Sequence, residues 1–140
     1  MSIIRTVGLN KIYDGATVPV HATNDVSLNF EIGEFTALVG PSGCGKTTLL
    51  NLIGGLDIPT SGEVFVEDVK LSSFSNRELI NFRLMNIGFV FQAYNLIPVL
   101  SARENVEFIM HLQGTDKAER KTRVEELLLK VGLKDKMDQR

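Results

Sequence analysis

The sequence predicts an α/β fold in which an antiparallel β opening leads into a parallel α/β core and then into a helical appendage. Three observations carry that prediction. Short β-prone runs between Ile3 and Glu34 are separated by turn signals; the apolar run Phe35-Thr36-Ala37-Leu38-Val39 leads straight into a glycine-rich loop; and Ser/Glu pairs open helices in the second half of the chain.

The opening, Ile3 to Tyr13 and Val18 to Glu34, reads as two or three antiparallel strands with turns at Asp14-Gly15, Asn24-Asp25 and Ile32-Gly33-Glu34. Phe35 to Val39 has the nearly continuous apolar character of a strand buried on both faces of a parallel sheet. A helix is expected from Thr48 to Ile53, stopped by Gly54-Gly55, and an edge hairpin from Gly62 to Leu71. Ser75 with Glu78 opens a helix running to about Met85, ahead of a strand at Ile87-Gly88-Phe89-Val90-Phe91. Ser101 with Glu104 opens the next helix, with Val106, Ile109 and Met110 on one face. A last helix follows Thr115-Asp116, its stripe formed by Val124, Leu127, Leu128 and Val131 and its end marked by Gly132.

Composition narrows the function classes. The chain has 140 residues, 15 Lys+Arg against 17 Asp+Glu for a formal charge of −2, and 44% hydrophobic residues. That charge argues against nucleic acid as a partner, because backbone binding needs a basic face, and the apolar content argues against disorder. No run is long enough to span a bilayer and the first residues lack a signal-peptide apolar region, so a cytoplasmic location is expected. The single cysteine, Cys44, excludes an internal disulfide, and His21 and His111 do not form a Cys/His zinc pattern.

The chemistry concentrates in Gly40-Pro41-Ser42-Gly43-Cys44-Gly45-Lys46-Thr47, which matches G-x-x-x-x-G-K-[ST] with a β-prone run before it and a helical run after it. Glycines let successive N–H groups converge on an anion, the helix adds its positive end, Lys46 can reach the β- and γ-phosphates, and the Thr47 hydroxyl can ligate Mg²⁺. Nucleoside triphosphate binding follows. Cys44 sits at a helix start beside Lys46, which favours thiol reactivity, although a small side chain filling a tight loop is the plainer role.

From Gly33 to Leu50, and through Gly54-Gly55-Leu56-Asp57 and Thr60-Ser61-Gly62, the chain resembles the ATP-binding subunit of ATP-binding-cassette (ABC) transporters. The resemblance extends over essentially the whole chain, with a P-loop NTPase core, an antiparallel β subdomain and a partial helical subdomain as the implied fold. It implies one ATP-binding domain whose N-terminal part is 1–140: an antiparallel β opening over 1–34, the core over 35–92, and the start of the helical subdomain over 93–140. Ile87-Gly88-Phe89-Val90-Phe91-Gln92 resembles the family's Q-loop, which implies that Gln92 touches Mg²⁺ and the attacking water and relays nucleotide state to a membrane subunit. It also implies that Gly40 to Thr48, including Pro41, Ser42 and Thr48, cradle ATP, and that Tyr13 stacks on the adenine, with Tyr94 as the competing aromatic.

Arg83 to Pro98 and Glu104-Asn105-Val106 look most like the lipoprotein-releasing and macrolide-exporter branch. That likeness implies a transmembrane permease docking on residues 93–110, a second ATP-binding subunit, and a position at the inner face of the membrane. The family's L-S-G-G-Q signature, its apolar strand ending in Asp then Glu, and its switch histidine have no counterpart in these residues. A piece incomplete at the C-terminus is therefore expected, with little hydrolysis of its own. Unpaired sheet edges would make it self-associate. The alternative is a module that binds nucleotide without hydrolysing it, or an inactive truncated product.

Overall fold

The computed structural model describes residues 2–14 and 18–140, so the Gly15 half of the expected Asp14-Gly15 turn lies outside the described residues. Internal contacts divide the chain into one unit over 1–83 and another over 84–140.

The first unit is built on a four-stranded sheet of β1 (Ser2–Tyr13), β2 (Val20–Glu31), β3 (Ser61–Val66) and β4 (Val69–Lys70), ordered β2-β1-β3-β4. Every pairing is antiparallel. The expected Asn24-Asp25 turn is instead a bulge inside β2: the register slips between Leu9↔Val26 and Lys11↔Thr23, and Asp25 takes φ 49°. The Asp25 N–H donates to Asn10 Oδ1 at 2.9 Å, so the ladder continues past the slip. The β3–β4 hairpin turns at Glu67-Asp68, both at positive φ as a two-residue turn of the favoured hand requires.

Helix α1 (Lys46–Ile53) lays Leu49, Leu52 and Ile53 against Leu9 of β1, Val64 and Val66 of β3, and Leu71. Full burial of each such side chain is worth about 2 kcal/mol. Partly buried Val26, Leu28, Leu38, Phe74 and Leu79 close that core. Gly54 ends α1 as expected, its N–H reaching Leu50 and Leu52 carbonyls.

Two expected strands are absent. Phe35 and Val39 are 98% and 92% exposed, and only Leu38 of that run packs inward. Ile87 to Phe91 is likewise irregular, with Val90 fully exposed. The reason is pairing. Both runs are apolar enough for a central parallel strand, but no parallel neighbour exists among the described residues to take up their backbone hydrogen bonds.

Helix α2 (Asn76–Asn86) starts at its predicted box, where Ser75 N–H and Oγ both reach Glu78 Oε2. In the second unit, α3 (Ala102–Leu112) and α4 (Lys117–Lys130) pair through Val106 and Met110 on one side and Val124 and Leu128 on the other, with Met137 beneath. Ile109, expected on that face, is 51% exposed because it stands about 100° round the helix from Met110. Val131, at the end of the predicted stripe, is 67% exposed at the helix terminus. Past it, Gly132 takes φ 75°, its N–H bonds to Leu129 O, and the Leu133 N–H bonds to Leu128 O, a Schellman stop. Asn105 ties the preceding loop down: its Oδ1 accepts the Ile97 N–H at 2.8 Å and its Nδ2 donates to Ile97, Leu100 and Ser101 carbonyls.

At the head of α3, Glu104 Oε2 accepts from the Ser101 N–H at 2.7 Å while Ser101 Oγ accepts the Glu104 N–H at 3.3 Å. The Ser101 backbone N–H, then its hydroxyl, hold the Glu104 carboxyl below the usual carboxylate range. A carboxyl depressed in the folded state stabilises above its ordinary range and ceases to do so as pH falls through the depressed value. Ser101→Ala is expected to lower stability by about 1 kcal/mol in denaturant melts at neutral pH. The difference from the parent chain should shrink on acidification below about pH 4; a pH-independent difference would show that the reciprocal box is not what stabilises α3.

Candidate functional site

The loop from Gly40 to Thr47 closes on itself through Lys46. Its ammonium donates to the Gly40 carbonyl at 2.9 Å and to the Pro41 carbonyl at 2.7 Å, and lies 3.6 Å from Cys44 Sγ. The Cys44 N–H reaches back to Pro41 O at 3.4 Å. Gly45, the residue before α1, takes φ 90°, and a Cβ there would collide with the Ala22 carbonyl of β2. Only glycine lets the loop sit against that strand.

The start of α1 has no side-chain cap and no acidic residue in its first turn. The first helical bond is from the Leu49 N–H to Gly45 O at 2.8 Å, so the N–H groups of Lys46, Thr47 and Thr48 precede the ladder. Helices usually place Ser, Thr, Asp or Asn at that point. Here uncapped donors, the positive helix end and an ammonium converge instead, the chemistry of an anion site. This arrangement fits a phosphate group and leaves the exposed Thr47 hydroxyl beside it as an oxygen ligand for a hard cation. Pro41, Ser42 and Gly43 are exposed along the loop.

Beside the loop lies a cavity of about 380 Å³ lined by His21, Thr23 and Val26 of β2, by Val39, and by Cys44 and Lys46. Thr23 Oγ1 is buried with no hydrogen-bond partner among the described residues. Cys44 is exposed, although its Sγ crowds Gly40 so closely that a Cβ there would come within 2.8 Å of it.

Tyr13 is not among the residues lining that cavity, but the ladder sets it one step away. Ile12 pairs with His21 in the cavity wall and Tyr13 with Val20. Tyr13 is 40% exposed as a residue, its hydroxyl donates to Asp57 Oδ2 at 2.7 Å, and Lys11 Nζ lies 4.9 Å from the ring centroid. Sequence reasoning did not single out Lys11 or Asp57 as site residues. Gln92 and Tyr94 belong to the second unit, where both are exposed on the irregular segment after Phe91. The Phe89 and Phe91 rings stack at 5.8 Å just before Gln92. His111 is exposed on α3. Over 93–110 the large apolar side chains that are exposed are Tyr94, Leu96, Val99, Phe108 and Ile109.

A glycine-rich loop of the pattern G-x-x-x-x-G-K-[ST] feeding an uncapped helix is the arrangement of a phosphate loop. The family model for ABC transporters matches residues 23–140, and the chain belongs to that family. It is 46% identical over 138 residues to an uncharacterized ABC transporter ATP-binding protein of Thermotoga maritima, covering 99% of this chain and 59% of that one. It is 37% identical over 139 residues to the lipoprotein-releasing system ATP-binding protein LolD of Idiomarina loihiensis, covering 99% of this chain and 61% of that one. The dimeric post-hydrolysis structure of the ATP-binding cassette MJ0796 with ADP and Pi superposes with a TM-score of 0.87 at 38% identity, over 96% of this chain and 60% of that one. The chain thus spans about 60% of the length of each of these three proteins. No helix among the described residues is long and apolar enough to cross a membrane.

An anion on the loop would draw Lys46 off the Gly40 and Pro41 carbonyls and cover the exposed Cys44 thiol. Alkylation of Cys44 is accordingly expected to slow when Mg·ATP is added, read by mass spectrometry against time. Equal rates with and without nucleotide would mean that the loop is not covered.

Proposed function

We propose that this chain is the ATP-binding component of an ABC transporter, whose intact form couples ATP binding and hydrolysis to substrate translocation by a membrane partner. The observation that carries this reading is the uncapped start of α1, with Lys46 folded across the loop and no acid in the first turn. Family membership supports it.

In this reading the backbone from Gly40 to Thr48 holds the phosphates, and Lys46 exchanges two carbonyls for the β- and γ-phosphate oxygens. Thr47 is the loop's magnesium ligand; bound Mg²⁺ would neutralise charge that develops on the phosphates. Gln92 has the role the resemblance assigns to it, contact with Mg²⁺ and relay to the permease, and Tyr13 stacks the adenine. The parts 1–34, 35–92 and 93–140 are the β opening, core and start of the helical subdomain of one domain. The apolar side chains exposed over 93–110 support that segment as the permease contact, at the cytoplasmic face of a membrane. A second ATP-binding subunit would complete the working form.

These 140 residues contain no apolar run ending in Asp then Glu and no L-S-G-G-Q, which favours binding without turnover by this chain alone. The exposed apolar side chains Phe35, Val39, Val90 and Phe91 of the runs 35–39 and 87–91 favour its self-association.

Calorimetry with Mg·ATP tests the reading. The chain is expected to bind, Lys46→Ala to weaken binding by about tenfold or more, and phosphate release from the same sample to be negligible. Light scattering should find more than one protomer per particle. Absence of binding by the unaltered chain, or identical binding by Lys46→Ala, would overturn the nucleotide site; rapid phosphate release would overturn the claim of an incomplete catalyst, and a clean monomer the claim of self-association.

A further inference from the structure

Two neighbouring side chains at the end of β1, Lys11 and Tyr13, meet Asp57, which is distant in sequence. Tyr13 donates its hydroxyl proton to Asp57 Oδ2 at 2.7 Å, and Lys11 Nζ donates to Asp57 Oδ1 at 2.6 Å and to the Ile58 carbonyl at 2.7 Å. The Ile58 N–H also donates to Asp57 Oδ1 at 2.7 Å. Both oxygens of one carboxylate are therefore engaged, one by the phenol and the other by an ammonium and an amide. The same ammonium lies 4.9 Å from the centroid of the Tyr13 ring.

This is more than a surface ion pair. Lys11 and Asp57 side chains are 13% and 26% exposed, so water competes weakly for them. A phenol with a free hydroxyl swings about its first side-chain torsions; one hydrogen-bonded through Oη to a carboxylate that is itself fixed by two other donors is held at both ends. One face of the ring carries the ammonium, and the ring's exposed portion is left for a flat ligand. Partial burial works against the Asp57 charge, but the donors Lys11, Tyr13 and Ile58 outweigh it and hold the carboxyl below its usual range, so the clamp is charged at neutral pH.

We infer that Asp57, with Lys11, is a positioning residue that locks the Tyr13 ring in the orientation in which it receives the nucleotide base. This rests on the proposed stacking role of Tyr13. The clamp acts on the base and not on the phosphates, because Lys46 and the start of α1 hold those independently. Ordering the ring before binding removes an entropic cost from stacking, so its value appears as affinity for a nucleoside triphosphate and not for a bare triphosphate.

The test compares ATP with inorganic tripolyphosphate, each with Mg²⁺, by calorimetry on the full chain. Tyr13→Phe and Asp57→Ala are each expected to weaken ATP binding by about tenfold while tripolyphosphate affinity stays within about twofold. Their combination should cost no more than the larger single loss, since the Tyr13–Asp57 hydrogen bond is absent from both. Asp57→Asn, which can still accept from the phenol, should recover most of the loss. If Tyr13→Ala weakens ATP binding but Tyr13→Phe and Asp57→Ala do not, the ring stacks without needing the clamp and the inference is wrong. If Asp57→Ala weakens tripolyphosphate equally, Asp57 is a structural residue and the inference is wrong. If Tyr13→Ala leaves ATP binding unchanged, the stacking reading itself fails.

Discussion

The site depends on one contact between backbones: Gly45 seated against the carbonyl of Ala22. With no side chain at 45, α1 begins directly on β2, and its apolar face, Leu49, Leu52 and Ile53, meets the sheet residues Leu9, Val64 and Val66. Any Cβ would push the helix start off the strand and the core off its partners. The same glycine denies α1 a side-chain cap, so the donors of the first turn have no capping side chain, as the proposed anion site requires. Packing and function therefore make the same demand on one residue.

The conformation of the loop follows from that seat. The segment leading in, Phe35 to Val39, forms no strand among the described residues, and of its side chains only the partly buried Leu38 packs against the core. What braces the loop is the helix on the far side and the Lys46 ammonium, which spans it to the Gly40 and Pro41 carbonyls. Charge-assisted hydrogen bonds of that kind hold an open loop in shape.

What was legible in the sequence was local. Both capping boxes, the hairpin expected over Gly62 to Leu71, the end of α1 and the stop at Gly132 are set by residues within a few positions of each other, and all appear in the structure. The phosphate loop was legible for the same reason. Phe35–Val39 and Ile87–Phe91 were misread because a strand's apolar pattern says nothing about whether a partner strand is at hand. Asn24-Asp25 was read as a turn because Asn and Asp tolerate positive φ in turns and bulges alike; only the register distinguishes them. The Lys11–Asp57–Tyr13 cluster joins residues 44 and 46 positions apart and carried no local signal at all.

The central claim is that phosphate binds to the backbone donors at the start of α1, held ready by the Gly45 seat. The most direct measurement is the set of backbone amide chemical shifts, by NMR, as Mg·ATP is added. The account predicts that the largest shifts fall on the amides of residues 43–48. Unmoved amides across 43–48, with the main shifts elsewhere in the chain, would contradict it.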